Sequence, residues 1–310
     1  MTEPAYPAPD PRDVDPQAVR RAFAHAAATY DGAAALQHEI GMRMAERLDY
    51  VKLAPSVILD AGCGTGDAVG DLGVRYPAAR IVAFDIALPM VLAARARVRA
   101  GRSTFRRLLR PFAARTLSEP AFVCADINAL PFDGVACDLV WSNLALQWVN
   151  DLPRAFAEFR RVLKVGALLS FTTFGPDTLR EVRAAFAGID AKTHTNRFVD
   201  MHDIGDMLVH AGFADPVMDM EYVTLTYDSP QALVAELKAI GASNRTRGRP
   251  RGLMGRTRWA RAVARLEALR HDGRIPATFE VIYGHAWKVA PRTTPEGHAI
   301  VRVQRPGSRA

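Results

Sequence analysis

The sequence predicts an α/β fold in which helices cover both faces of a mostly parallel sheet. Two observations support this prediction. Short apolar strands alternate with helical segments between residues 57 and 172, and a glycine-rich loop joins the first of these strands to a helix. A length of 310 residues with 49% hydrophobic residues is enough for one such domain and an added cap.

The individual elements follow from hydrophobic spacing and length. The predicted strands of the alternating region are 57–59, 81–84, 122–124, 139–141 and 168–172. The predicted helices are 16–49, the stretch from the glycine loop to about 76, 89–99 and 151–163. After residue 175 we expect helices near 176–188, 201–211 and 230–240, and two longer strands at 222–227 and 279–289. These two strands should close the sheet with an antiparallel edge.

The composition divides the chain into four predicted parts. Residues 1–15 contain four prolines and should form a disordered leader, and residues 16–50 a helical lid. Residues 51–290 form the α/β domain, with capping insertions at about 176–220 and 229–277. Residues 291–310 form a flexible tail.

The formal net charge of +7 favours acidic partners, although a solvated arginine-rich surface would give the same value. No apolar run is long enough to cross a membrane, and the N-terminus lacks the pattern of a secretory signal. The three cysteines have no metal-ligand spacing. We therefore expect a cytoplasmic protein with no membrane segment and no metal site.

The glycine loop is the strongest functional motif. A strand ends in Asp60, and Gly62, Gly64 and Gly66 follow before a helix. A nicotinamide site prefers glycine or alanine where Asp67 stands, and a carboxylate there would repel a pyrophosphate. S-adenosylmethionine instead carries a sulfonium and an ammonium, which Asp60 can attract. The loop therefore predicts S-adenosylmethionine as the cofactor.

Polar residues at the ends of the next strands complete the predicted cofactor site. Asp85 can accept hydrogen bonds from ribose hydroxyls, with Ile86 beside it. Asp126 can accept a hydrogen bond from the adenine amino group while Ile127 packs on the ring. Asn143 can hold the methionine part of the cofactor. Ligands of open α/β sheets bind at these carboxyl ends of the strands.

The residues show no arrangement for nucleophilic or acid–base catalysis, and methyl transfer does not require one. It is an in-line displacement with a good leaving group, in which positioning supplies much of the barrier reduction. A carboxylate acceptor is already ionised at neutral pH. The residues after the fourth strand, 141–148, lack the Pro-Pro-aromatic element of enzymes that methylate base amines.

With these motifs placed, the chain resembles the class I S-adenosylmethionine-dependent methyltransferases. Within them it resembles the BioC type, the malonyl-[acyl-carrier protein] O-methyltransferases. The resemblance covers roughly residues 16–289. The more specific segments are 26–31, 141–148, 171–179, 194–198 and 237–242. It implies a Rossmann-like seven-stranded sheet with an N-terminal helical lid and a C-terminal helical insertion.

The resemblance also implies an activity and a partner. A methyl group would pass from S-adenosylmethionine to the free carboxylate of malonyl-acyl-carrier protein, giving the methyl ester that primes biotin (pimeloyl) synthesis. Tyr30 would line the pocket, and Arg180 or Arg197 would hold the malonyl carboxylate. Two arginine clusters could dock an acidic carrier protein or bind RNA. They are Arg106, Arg107, Arg110 and Arg115, and Arg245, Arg247, Arg249, Arg251, Arg256 and Arg258.

Two alternatives remain at this point. Residues 149–155 and 275–279 resemble the mitochondrial complex I assembly factor that hydroxylates arginine and shares the cofactor loop. The basic stretches would also suit a nucleic-acid methyltransferase. The missing Pro-Pro-aromatic element and the lack of interleaved aromatic residues disfavour nucleic acid as the partner.

Overall fold

The computed structural model describes residues 10–108, 119–250, 252 and 254–290, without the side chains of 102–108. Its helices are α1 (Pro16–Ala26), α2 (Ala35–Arg47), α3 (Asp67–Arg75), α4 (Leu88–Leu108), α5 (Leu152–Val162), α6 (Arg180–Phe186), α7 (Met201–His210), α8 (Pro230–Ala239) and α9 (Arg256–Glu267). Its strands are β1 (Val57–Ala61), β2 (Arg80–Asp85), β3 (Ala121–Cys124), β4 (Cys137–Ser142), β5 (Leu163–Phe174), β6 (Phe213–Tyr227) and β7 (Ile275–Lys288). The predicted tail 291–310, Arg110 and Arg115 lie outside the described residues, and so do the side chains of Arg106 and Arg107.

The seven strands form one sheet in the order β3-β2-β1-β4-β5-β7-β6. Strands β1 to β5 pair in parallel, and β7 runs antiparallel to both of its neighbours, β5 and β6. The predicted seven-stranded α/β fold is therefore confirmed. The predicted antiparallel edge is also confirmed, since β6 and β7 pair antiparallel at one end of the sheet, with β7 lying between β5 and β6.

Helices bury apolar side chains on both faces of this sheet. One face buries Ile40 and Met44 of α2 against Leu139 and Leu168, and the other buries Phe156, Phe159 and Leu208 against Val140 and Leu169. Each such side chain stabilises the fold by about 1.5–3 kcal/mol relative to exposure. Across the described ranges, no helix combines the length and apolarity that a membrane crossing requires.

The N-terminal lid is two helices, so the helical stretch predicted at 16–49 is interrupted between residues 26 and 35. Asp15 caps α1 by accepting from the backbone N–H groups of Gln17 and Ala18. The chain then leaves the helix through turns, in which Tyr30 donates to the carbonyl of Ala26 and Ala33 to that of Tyr30. Hydrophobic spacing continues across this break, because both helices face the same domain. The break places Tyr30 on a connecting segment.

The prediction of a disordered leader is wrong for residues 10–15. Residues 10–15 cross the loop between α8 and α9 and exchange backbone hydrogen bonds with it. Asp15 donates to the carbonyl of Arg245, and Gly248 donates to that of Pro11. Asn150 also binds the N–H and the carbonyl of Val14. These long-range partners compensate for the low apolar content, and residues 1–9 lie outside the described part.

The C-terminal cap differs from its prediction in four elements. Helix α6 covers only 180–186, because Leu179 before it adopts a left-handed backbone with φ of 55°. Strand β6 begins at Phe213 rather than at 222, and β7 begins at Ile275 rather than at 279. Helix α9 occupies part of the stretch 244–274, which the sequence analysis left without a helix.

Candidate functional site

The site lies where the strand order of the sheet reverses. Strand β1 has β2 on one side and β4 on the other, so the connections leave it in opposite directions and open a crevice at the carboxyl ends. Two cavities meet there, of about 350 and about 300 Å³. The first lies between α2 and the glycine loop, and the second between α1 and the ends of β2 and β3. Both are lined by Tyr30, Gly62, Gly64 and Asn143.

The glycine loop needs its glycines for two separate reasons. All three have positive φ, at 77° for Gly62, 52° for Gly64 and 81° for Gly66, which glycine adopts without strain. A Cβ on Gly62 would lie 2.4 Å from the Cβ of Ala145, and one on Gly66 would lie 2.8 Å from that of Ala94. Gly64 has only the ring of Tyr30 nearby, at 3.9 Å. The main chain at Gly64 is therefore open to a ligand.

Asp85 is held in place by backbone donors. Its Oδ2 accepts from the N–H of Gly64 at 3.1 Å and its Oδ1 from the N–H of Ala87 at 2.8 Å. Burial raises the pKa of Asp85, and these N–H donors oppose that shift. The carboxylate lines the second cavity with lone pairs left over, so it can accept hydrogen bonds from a pair of hydroxyls.

Asp126, Ile127 and Ile86 line the same cavity, as the sequence predicts. Asp126 is exposed and accepts from the N–H of Asn128 at 2.8 Å, while the two isoleucines are half-buried. The Oδ1 of Asn128 is buried with no hydrogen-bond partner. The second cavity thus offers apolar walls for a flat ring and polar groups at its edge, and sequence reasoning missed Asn128.

Asp60 lines the first cavity, where its carboxylate is buried. The residue is 2% exposed, and its Oδ2 has no hydrogen-bond partner. Burial, with the nearby charges of Asp85 and Asp67, raises the pKa of Asp60 to about 7. Gln37 Oε1 and Trp141 Nε1 are two further buried atoms of this cavity that lack a partner. Such groups favour a polar ligand with a cationic part.

Asn143 reaches both cavities, but its side-chain amide is already in use. The Nδ2 donates to the carbonyl of Gln37 at 3.0 Å, and the Oδ1 accepts from Thr172 at 2.6 Å. The amide therefore ties β4 to α2 and β5. A ligand contact from Asn143 would come from its backbone, which was one of the two predicted modes.

Tyr30 lies over the glycine loop and lines both cavities. Burial raises the pKa of the Tyr30 phenol, and the charges of Asp85, Asp31 and Asp67 add to the shift. The phenol therefore stays protonated and can donate a hydrogen bond. This placement matches its predicted position at the pocket.

Arg97 and His38 form a polar clamp beside the glycine loop that sequence reasoning missed. Arg97 binds Asp31 at 3.1 Å and Asp67 at 2.9 Å, and His38 Nδ1 lies 2.6 Å from Asp67. These contacts partly offset the charge of Asp67, so the repulsion of a pyrophosphate that the sequence predicts is weakened. No local pattern links α2, α3 and α4, so the clamp was not predictable.

The two arginines predicted for the acceptor lie on the cap and line neither cavity. Arg180 is 55% exposed, lies 3.8 Å from Asp177 and 3.5 Å from Glu181, and stacks over Tyr222. Arg197 is exposed, and its guanidinium makes no hydrogen bond or ion pair with a described residue. The described structure brings the cofactor candidates together but leaves these two apart.

Comparison with known proteins agrees with this arrangement. A methyltransferase domain family matches residues 59–171. The malonyl-[acyl-carrier protein] O-methyltransferase of Gallionella capsiferriformans is 53% identical over 93% of this chain and 96% of its own length. That of Nitrosospira multiformis is 53% identical over 91% and 93%. The YcgJ protein from Bacillus subtilis shares the fold, with a TM-score of 0.56, 14% identity and coverage of 80% of this chain and 98% of its own. The chain is a methyltransferase and belongs to the family of malonyl-[acyl-carrier protein] O-methyltransferases.

Proposed function

We propose that the chain transfers a methyl group from S-adenosylmethionine to the free carboxylate of malonyl-acyl-carrier protein. The observation that carries the proposal is the 53% identity to enzymes of that name over nearly the whole chain. It favours carboxyl methylation over arginine hydroxylation and over nucleic-acid methylation. The product would be the malonyl methyl ester that begins the pimeloyl part of biotin, made in the cytoplasm.

The two cavities suit the two halves of the cofactor. Asp85 would bind the ribose hydroxyls, and Ile86 and Ile127 would enclose the adenine. Asp126 would accept a hydrogen bond from the adenine amino group. The buried, unpartnered oxygen of Asp60 would receive the methionine ammonium, directly or through water. Residues Gly62, Gly64 and Gly66 would let the cofactor cross the main chain between the cavities. When bound, the cofactor supplies an electrophilic methyl group on a positively charged sulfur.

The protein's part in the reaction is positioning. The malonyl carboxylate would form a bond to the methyl carbon with its own electron pair and displace S-adenosylhomocysteine, so the protein has no proton to transfer. Tyr30 lies where the cavities meet, and its protonated phenol can donate to a carboxylate or thioester oxygen. Desolvation of the carboxylate beneath the lid would raise its reactivity.

Arg180 and Arg197 remain candidates to bind the malonyl carboxylate, and they differ in the charged residues that surround each of them. The charge of Arg180 is shared with Asp177 and Glu181. The guanidinium of Arg197 forms no ion pair within the described part of the chain, although its charge acts on the nearby Asp10, so its hydrogen-bond donors remain available to a carboxylate. We therefore favour Arg197.

The proposal is tested by incubating the protein with methyl-labelled S-adenosylmethionine and malonyl-acyl-carrier protein. Acetyl-acyl-carrier protein, which lacks the free carboxylate, serves as the control acceptor. We expect label on the malonyl carrier alone. Equal labelling of both carriers, or of neither, would refute carboxyl methylation.

A further inference from the structure

The cap carries an arginine-rich surface that methyl transfer itself does not use. Residues 244–274 contain ten arginines, and Glu267 is the first acidic residue in that stretch. Some of these arginines bind other residues of the protein, and others are exposed and make no such contact with a described residue.

One group of these arginines is structural. Each of its members binds a carboxylate or a main-chain carbonyl of the cap, as the following contacts show. Arg249 binds Asp15 and the carbonyl of Thr246, Arg265 the carbonyls of Ala185 and Ala187, Arg270 Glu267, and Arg274 Asp228. Arg245 is half-buried, and Arg247 is exposed on the loop before α9. The proposed docking cluster of the sequence analysis is thus only partly available, and Arg251 lies outside the described residues.

Three exposed arginines on one helix form the other group. Arg256, Arg258 and Arg261, here called the α9 arginines, make no hydrogen bond or ion pair with any residue that the structure describes. Arg258 and Arg261 are three residues apart, and Arg261 and Arg265 are four apart, so like charges are neighbours on the helix. Such pairs destabilise a helix slightly. Arg258 lies close enough to Asp190 for their charges to interact, but none of the three guanidinium groups is held in an ion pair with a described residue, so they suit an external anion.

Helix α9 lies on the side of the sheet where the carboxyl ends of the strands form the candidate site. It packs against α6 and α8, and α6 begins shortly after the carboxyl end of β5. The loop before α9 pairs with residues 10–15, which lead directly into α1, and α1 lines the second cavity. A partner bound on α9 would therefore lie on the same cap that covers the candidate site.

We propose that the α9 arginines are the docking surface for the acidic carrier protein that presents the malonyl group. This inference rests on the proposed function for the identity of the partner. Charge complementarity supports it, since carrier proteins are acidic and complementary charges speed association and orient the partner. RNA suits the surface less well, because the one aromatic residue of α9, Trp259, is half-buried and faces Phe186 at 6.4 Å, which leaves no exposed ring on this helix for base stacking.

The test compares a charge-reversed double variant, Arg256→Glu with Arg261→Glu, with a matched control, Lys52→Glu with Arg80→Glu. Lys52 and Arg80 are exposed near the amino ends of β1 and β2, on the opposite edge of the sheet. Both pairs change the net charge equally. The measurements are methyl transfer to malonyl-carrier and to malonyl-pantetheine, and binding of the holo-carrier without malonate, of S-adenosylhomocysteine and of a single-stranded RNA.

For the α9 variant we expect the KM for malonyl-carrier to rise about tenfold, and holo-carrier binding to weaken equally. Transfer to malonyl-pantetheine and binding of S-adenosylhomocysteine should not change, and the control variant should match the wild type. Unchanged carrier binding, or equal losses on both acceptors, would overturn the docking surface. So would a loss of affinity for a single-stranded RNA with carrier binding intact. If the wild type binds the carrier and the α9 variant does not, yet no methyl is transferred, the surface stands and the proposed function fails.

Discussion

The contact between Gly62 and Ala145 gives a quantitative test of how the glycine loop is held. Gly62 has φ of 77°, and its missing Cβ would lie 2.4 Å from that of Ala145. Gly62→Ala should therefore cost about 1–2 kcal/mol for the left-handed backbone and about 1–3 kcal/mol for overpacking. We expect its free energy of unfolding in urea to fall by about 2–5 kcal/mol, the sum of these two costs.

A second substitution separates the two causes. Ala145→Gly removes the crowding atom but leaves the backbone strain at residue 62. The double variant should recover the overpacking part, a coupling of about 1–3 kcal/mol in a double-mutant cycle. Gly70→Ala in α3 is the control, because its Cβ would meet nothing within 4 Å, and it should change stability by no more than about 1 kcal/mol. Additive effects of the two substitutions would refute the argument from contact.

Three further predictions concern charged groups of the site. Asp85→Asn should weaken S-adenosylhomocysteine binding about tenfold in calorimetry, because a charged acceptor for the ribose is lost; unchanged affinity would exclude this role. Because burial raises the pKa of Asp60 to about 7, cofactor affinity should rise with pH up to that range as the carboxylate ionises. Asp60→Asn should flatten this profile, and a wild-type profile that is already flat would contradict the assignment. The hydrogen bond to Asp67 raises the pKa of His38, so His38 should titrate above pH 6.5 in NMR. Its contribution to stability should be fully present below pH 6.5 and should be lost as the pH rises through the raised pKa. Asp67→Asn should return the midpoint toward 6.5, and a midpoint already at or below 6.5 in the wild type would show the contact to be absent.

The parallel half of the sheet and the cofactor pocket were predictable because their signals are local. Each short apolar strand ends in a polar residue, and parallel strands bring those ends to one edge. Asp60, Asp85 and Asp126 therefore come together as predicted, although each belongs to a different strand.

The missed features depend on contacts between distant parts of the chain. The insertion of β7 between β5 and β6 is set by pairing over the whole sheet, and alternating hydrophobicity does not encode that order. Residues 10–15 have few apolar side chains, and their order comes from backbone bonds to the loop near 245. The pairing of Asp67 with Arg97 and His38 joins three helices. Helix α9 has four arginines among its twelve residues, and this high charge obscured the apolar face that buries Ala262 and Leu266.

The most direct measurement is the position of the transferred methyl group on the carrier's arm. Tandem mass spectrometry of the arm, after reaction with malonyl-acyl-carrier protein, distinguishes a methyl ester from a methylated carbon, and mild alkali releases methanol from the ester alone. We predict one methyl group on the terminal carboxylate, and alkali should release it as methanol. A methyl group that resists alkali, or an unmodified arm beside a methylated protein or nucleic acid, would contradict it.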